Sequence, residues 1–142
     1  MIKSIDNMNL DLEIKKVLSV NDITSERNLV LTKKQAIQLI ENKNLLLKQL
    51  NRFEIYNNVN YLIQNFYESS FIDCDNYYEI VNALIETFYL YQSEFDNFLN
   101  DDEIIDYIKN SFDGVCEGSI EILQDFCLNE LKNKLESDKF YE

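Results

Sequence analysis

The segment "YYEIVNALIETFYLYQSEFDNF", residues 77–98, decides the fold class of this chain. Its apolar side chains recur at alternating spacings of four and three residues: Tyr77, Val81, Leu84, Phe88, Tyr91, Phe95 and Phe98. These spacings place the side chains on one face of an α-helix, over about three heptads. Ile80 and Ile85 widen that face, which favours burial inside a helical bundle. The alternative is a coiled-coil seam that pairs two copies of the chain as a homodimer.

Helical periodicity extends along most of the chain and predicts an all-α bundle of about five to six helices. The helices are expected at about the following residues: 10–27, 32–50, 54–68, 77–98, 100–113 and 119–134. A break is expected near residues 19–22, and an extended link over residues 28–32. The chain has no linker, repeat or low-complexity block, so residues 1–142 are expected to form a single helical domain with frayed ends at 1–9 and 136–142.

Two helix starts carry a capping-box pattern. Thr32 is followed three residues later by Gln35, and Asn100 is followed three residues later by Glu103. In such a pair, the first side chain accepts a hydrogen bond from the amide of the second residue, and the second side chain reaches back to the amide of the first. The pattern therefore predicts helix starts at residues 32 and 100.

Turn-forming residues mark the other boundaries. Asp73 or Asp75 is expected to cap the helix that starts near residue 77. Gly114 falls where a left-handed residue ends many helices, and Ser119 is expected to cap the last helix.

The acidic residues are concentrated in the second half of the chain. Residues 1–71 contain 9 basic and 8 acidic residues, whereas residues 72–142 contain 4 and 18, which gives net charges of +1 and −14. Direct binding to nucleic acid or to an anionic membrane is not expected, because it needs clustered Lys and Arg. The charge instead favours a protein partner with a basic or mixed surface. With no signal peptide and no apolar run near the ~20 residues of a membrane helix, a cytoplasmic location is expected.

The residue types exclude several kinds of catalytic site. The chain has no histidine, which excludes His-based triads and His-ligated metal sites. It has no Cys-x-x-Cys pair for zinc, and its two glycines fit neither a phosphate loop nor a dinucleotide fingerprint. No cofactor is therefore expected, and a non-enzymatic protein is favoured over an enzyme.

Carboxylates crowd one predicted helix–turn–helix corner: Glu94, Asp96, Asp101, Asp102, Glu103 and Asp106. One hypothesis is a divalent-metal site, in a metal-dependent protein or small enzyme. The same residues are also explained without a metal, because carboxylates at a helix N-terminus complement the helix dipole and keep the helix surface solvated. A further hypothesis is a mimic of DNA, with helical carboxylates in place of phosphates.

Three tyrosines lie off the predicted apolar stripes, and exposed tyrosine is enriched at interfaces. The candidate interaction residues are these tyrosines and three of the acidic residues: Tyr78, Tyr89, Tyr107, Glu94, Asp101 and Asp102. The favoured function is therefore a protein-interaction or regulatory module with an acidic C-terminal half.

The three cysteines are expected to be reduced in the cytoplasm. Cys127 occupies an apolar helical position and is expected in the core. Cys116 lies beside a helix start, which would lower a thiol pKa, but the neighbouring acids Asp113 and Glu117 act in the opposite direction. We expect Cys116 to fill the inside of the turn, and a reactive Cys116 is the alternative.

Three stretches of the chain, "FYESSFI", "NYYEIVNALIETFYLYQSE" and "DDEIIDYIKNSFDGVCEGSIEIL", resemble an uncharacterised family of small acidic helical proteins from anaerobic Gram-positive bacteria. The matching residues are Phe66, Ser69, Phe71, Ile72, Asn76, Tyr77, Phe88, Tyr89, Tyr91, Glu94, Asp101, Asp102, Glu103, Phe112, Cys116, Gly118 and Ser119. "NLVLTKKQA" is similar to the family's "GL-LT" start of the second helix, with Asn28 where glycine is expected. The resemblance covers residues 23–131 and implies a bacterial cytosolic protein, but no particular activity.

Overall fold

The computed structural model describes the backbone of residues 2–53 and 59–140, and the side chains of residues 10–53 and 59–137. The described residues form helices joined by short turns, with no β-strand among them, so the predicted all-α bundle is confirmed. Residues 54–58, including Ile55 in the predicted third helix, lie outside the described residues.

The helices are, in order, α1 Ile2–Ser19, α2 Asn21–Thr24 with a 3₁₀ turn at Ser25–Arg27, α3 Lys33–Gln49, α4 Val59–Phe66, α5 Tyr77–Phe95 and α6 Asp101–Asp113. A last helix follows as three contiguous segments, α7 Ile120–Ile122, a π-helical turn Leu123–Cys127 and α8 Leu128–Phe140; it is called the α7–α8 helix below. The first and last helices reach Ile2 and Phe140, well into the segments expected to fray. Within the described ranges, no helix has both the length and the apolar character needed to cross a membrane.

Helix α5 lies at the centre of the bundle and packs against α3, α4, α6 and α7. Six of the seven residues in its predicted apolar face are buried: Tyr77, Val81, Leu84, Phe88, Tyr91 and Phe95. The seventh prediction is wrong, because α5 ends at Phe95 and Phe98 is 45% exposed. The apolar face of α5 is therefore buried inside the bundle, as the first interpretation predicts, and is not left exposed as a seam for a second copy.

The predicted break and link in the first part of the chain are confirmed. Val20 separates α1 from α2, and residues 29–32 have no regular secondary structure. Asn28, which stands where the resemblance expects glycine, has a φ of 60° in the left-handed region. Asparagine tolerates this region better than most residues do, so the substitution fits the backbone.

Both predicted capping boxes are confirmed. The Gln35 amide donates to Thr32 Oγ1 over 3.1 Å, and the Thr32 amide donates to Gln35 Oε1 over 2.9 Å. The Glu103 amide donates to Asn100 Oδ1 over 2.8 Å, and the Asn100 amide donates to Glu103 Oε1 over 3.0 Å. Ser119 also caps its helix as predicted, because its hydroxyl accepts from the Ile122 amide.

The prediction that Asp73 or Asp75 caps α5 is wrong. The N-cap residue is Asn76, and its side chain makes no capping bond. Asp73 Oδ1 instead accepts from the amides of Asp75 and Asn76, at 2.9 and 3.0 Å. These amides belong to the turn before the helix, so the Asp73 carboxylate stabilises the turn and not the first turn of α5.

The prediction of a left-handed Gly114 is also wrong. Gly114 has a φ of −101°, whereas Glu117 and Gly118 have φ values of 46° and 81°. The Gly118 amide donates to the Phe112 carbonyl over 2.9 Å, which closes the end of α6. The left-handed conformation therefore occurs at Glu117 and Gly118, close to the start of the next helix, and not at Gly114.

Candidate interaction surface

The acidic corner predicted at residues 94–106 is held by hydrogen bonds and one ion pair. Arg52 Nη2 lies 2.6 Å from Asp96 Oδ2, and Gln92 Nε2 donates to Asp101 Oδ1 over 3.0 Å. Glu103 belongs to the capping box of α6. The structure thus uses several of these carboxylates to join and cap helices.

Two other acids of the corner, Asp102 and Asp106, lie exposed on α6, and Glu94 is exposed on α5. Tyr61 of α4 donates its hydroxyl to Asp102 Oδ1 over 2.7 Å. In the part of the chain that the structure describes, no three acidic or cysteine side chains form a group that could hold a metal ion. The described geometry therefore offers no assembled ligand set for the metal hypothesis.

The three tyrosines expected at the surface have different environments. Tyr89 is 1% exposed and packs edge-on against Phe88 with ring centroids 5.0 Å apart, so its expected exposure is wrong. Tyr78 and Tyr107 are half-buried, and the Tyr107 hydroxyl donates to the Cys127 carbonyl over 2.9 Å. Among the tyrosines whose side chains the structure describes, the exposed one is Tyr61, at 47%. Its hydrogen bond to Asp102 raises the pKa of its hydroxyl.

An apolar pair is exposed on the α7–α8 helix. Ile122 and Phe126 are 38% and 57% exposed, one helical turn apart. They line a shallow groove of about 350 Å³ together with three polar neighbours. We call this surface the outer face; its residues are Glu121, Ile122, Asp125, Phe126 and Asn129.

The register of the α7–α8 helix explains why this pair is exposed. The sequence predicts an apolar stripe on this helix at Ile120, Leu123, Cys127 and Leu131; the last three are buried, and Ile120 is half-buried and packs against the core. Ile122 and Phe126 each precede one of these buried residues, so they lie about 100° around the helix from the core-facing side. The predicted apolar stripe included the three buried residues and not the exposed pair, although apolar residues outside a stripe are the signal that would have identified it.

The inner side of the same helix is fixed by hydrogen bonds at its π-helical turn. Tyr91 of α5 donates its hydroxyl to the Leu123 carbonyl over 2.5 Å. Gln124 Nε2 donates to Thr87 Oγ1 over 2.9 Å. Burial raises the pKa of the Tyr91 hydroxyl, which keeps it protonated as a donor. A π-turn interrupts the regular i to i−4 bonding of a helix, and the Tyr91 hydroxyl supplies a donor to one carbonyl of this turn, while the Gln124–Thr87 bond ties the turn to α5.

Replacing Tyr91 by phenylalanine tests this anchoring. The Y91F variant leaves the buried Leu123 carbonyl without its hydroxyl donor, so we expect the free energy of unfolding to fall by about 1–2 kcal/mol. Chemical denaturation measures it, with Y61F as the matched control because the Tyr61 hydroxyl is bonded at the surface. A cost for Y91F no larger than that for Y61F would contradict the anchoring role.

Two of the three cysteines lie in the core. Cys116 and Cys127 are 2% and 1% exposed, which confirms the core position of Cys127 and the inward position of Cys116. Cys74 is exposed. Burial and the hydrogen bond to Cys127 raise the pKa of the Cys116 thiol to about 12. The pKa of Cys116 is therefore shifted away from that of a thiol activated near neutral pH.

Comparison with protein families matches residues 16–140 to a family of unknown function, DUF6323. The match spans most of the chain, so the protein belongs to this family. No curated protein and no solved structure matches the chain.

Proposed function

We propose that this member of the DUF6323 family is a protein-interaction module that docks a basic, amphipathic segment of another protein on the outer face. The observation that carries the proposal is the exposed pair of Ile122 and Phe126, which lines one groove with the acidic residues Glu121 and Asp125. A few side chains that become buried at the centre of a protein interface, often aromatic ones, supply most of its binding energy. Flanking charges select the partner and steer it to the site.

The charge of the surrounding chain supports a basic partner. Residues 72–142 have a net charge of −14, and Lys109 is the one basic residue between Arg52 and Lys132. A segment rich in Lys and Arg would neutralise this charge as its apolar side chains cover the exposed pair. A second copy of the same face would bring like charges together, so the charge favours a different protein over a homodimer.

A synthetic peptide supplies a defined probe for this proposal. We expect a fluorescently labelled amphipathic helix of leucine and lysine to bind, and a leucine–glutamate peptide of equal length not to bind. The F126S variant is expected to weaken binding at least tenfold, because a central aromatic anchor is worth about 2 kcal/mol or more. Fluorescence anisotropy at low and high salt measures both effects.

Matched variants test whether the peptide binds the outer face in particular or any exposed apolar or acidic side chain. Leu45 on α3 is also 57% exposed, so L45S removes an equally exposed apolar side chain from another helix. E121Q and D125N remove charge from the outer face, and E41Q removes one from exposed Glu41 on α3. We expect the E121Q/D125N variant to bind the peptide more weakly, with an affinity that depends less on salt. We expect L45S and E41Q to bind the peptide as the wild-type protein does. Equal loss with L45S and F126S would refute the assignment of the site.

A further inference from the structure

Two buried thiols form a hydrogen bond between the turn after α6 and the α7–α8 helix. The Sγ atoms of Cys116 and Cys127 are 3.4 Å apart, and both cysteines are free thiols. Cys116 lies in the loop after α6, and Cys127 is the last residue of the π-helical turn. The sequence separation of these residues gave no indication that their sulfur atoms would meet.

The distance between the sulfur atoms is close to that of a disulfide. A disulfide bond is about 2.05 Å long, so the two atoms need to approach by about 1.4 Å. Rotation about the Cα–Cβ bonds and a small shift of the loop supply such a movement. The Cys116 amide donates to the Ser111 carbonyl and the Cys116 carbonyl accepts from the Ser119 amide, both over 2.9 Å, so the turn is fixed by backbone hydrogen bonds and side-chain rotation has to supply most of the movement.

We propose that Cys116 and Cys127 form a redox-active pair that a small peroxide converts into an intramolecular disulfide. In the first step, one thiolate attacks hydrogen peroxide, the O–O bond breaks, and sulfenic acid and hydroxide form. In the second step, the other thiolate attacks the sulfenic sulfur, the S–S bond forms, and a second hydroxide leaves. The hydroxides take up the two thiol protons, so two thiols and one peroxide give one disulfide and two waters.

The surroundings of the two thiols determine how fast they are oxidised and what the disulfide does to the structure. Because both thiols are buried and the pKa of Cys116 is raised, oxidation is slow near neutral pH and faster as pH rises toward about 12. The crosslink closes a ring that contains Ile122 and Phe126, and it would limit local opening of that segment. Oxidation of the pair does not depend on whether the outer face binds a partner.

Peptide mapping of the wild-type protein tests the pair directly. No Lys or Arg lies between Cys116 and Cys127, so trypsin leaves both in one peptide, whereas cleavage after Glu117 and Glu121 separates them. After treatment with hydrogen peroxide, we expect the two separated peptides to be linked, with a mass lower by two hydrogens, and to be released by dithiothreitol. The inference would be overturned if Cys116 and Cys127 remained free thiols when exposed Cys74 had been fully oxidised. It would also be overturned if either cysteine were linked only to Cys74.

Thermal unfolding supplies a second measurement that does not depend on mapping. Oxidised wild-type protein is expected to melt roughly 5 °C or more above the reduced protein, because the crosslink restricts the unfolded chain. C74S is expected to retain this shift, and C127S is expected to lose it. A shift that persists in C127S, or disappears in C74S, would assign the effect to another thiol and overturn the inference.

Discussion

Replacing Phe88 by alanine is expected to lower the free energy of unfolding by about 3–5 kcal/mol, which is a large part of the total stability of a domain of this size. Phe88 is fully buried at the middle of α5 and packs edge-on against Tyr89. Because α5 contacts α3, α4 and α6, a cavity at this position removes contacts shared by much of the bundle.

The control for Phe88 comes from the same apolar repeat. Phe98 follows the heptad spacing of Phe88 but is 45% exposed beyond the end of α5, so F98A is expected to cost about 1 kcal/mol or less. Chemical denaturation of both variants measures the difference. Similar costs for F88A and F98A would mean that α5 does not form the centre of the core.

Replacing Gly118 by alanine is expected to lower the free energy of unfolding by about 2–4 kcal/mol. Gly118 has a φ of 81°, which alanine adopts only with strain. An added Cβ would also lie 2.7 Å from Cβ and Cγ of Phe71. Rotation of the Phe71 side chain does not move its Cβ, so the backbone near residue 71 or 118 would have to shift to relieve this contact.

A double-mutant cycle separates the two causes of the stability lost in G118A, which are backbone strain at residue 118 and steric contact with Phe71. The F71G change removes the three Phe71 atoms nearest to the added methyl group, Cβ, Cγ and Cδ1, and leaves the backbone conformation of residue 118 unchanged. In the F71G background, we expect the cost of G118A to fall to the strain of the left-handed backbone, about 1–2 kcal/mol. An identical cost in both backgrounds would exclude steric contact with Phe71.

Much of the fold follows from local patterns in the sequence. The heptad spacing in residues 77–95 predicts the burial of α5, because one helical face is apolar along its whole length. The pairs Thr32–Gln35 and Asn100–Glu103 predict helix starts, because a capping box depends on contacts within four residues.

The failed predictions concern features that depend on tertiary packing. Tyr89 lies off the apolar stripe but is buried, because α5 is surrounded on more sides than a surface helix would be. The sequence predicts a left-handed Gly114, whereas Glu117 and Gly118 take that conformation where the loop passes Phe71. The approach of the Cys116 and Cys127 sulfur atoms likewise depends on how the loop packs on the helix.

The candidate site was only partly predictable for the same reason. The charge asymmetry is a property of the sequence, and it supports a basic partner at any position in residues 72–142. Which apolar residues remain exposed depends on which side of the α7–α8 helix meets the core. Ile122 and Phe126 were therefore identified as a surface pair from the structure alone.

Chemical-shift mapping by NMR tests the proposed function most directly. Isotope-labelled protein would be titrated with the leucine–lysine peptide, and the backbone amides followed residue by residue. We expect the largest shifts at residues 121–129, on the outer face, and little change at the 94–106 corner. Shifts centred on that corner, or spread evenly over the acidic half of the chain, would contradict docking on Ile122 and Phe126.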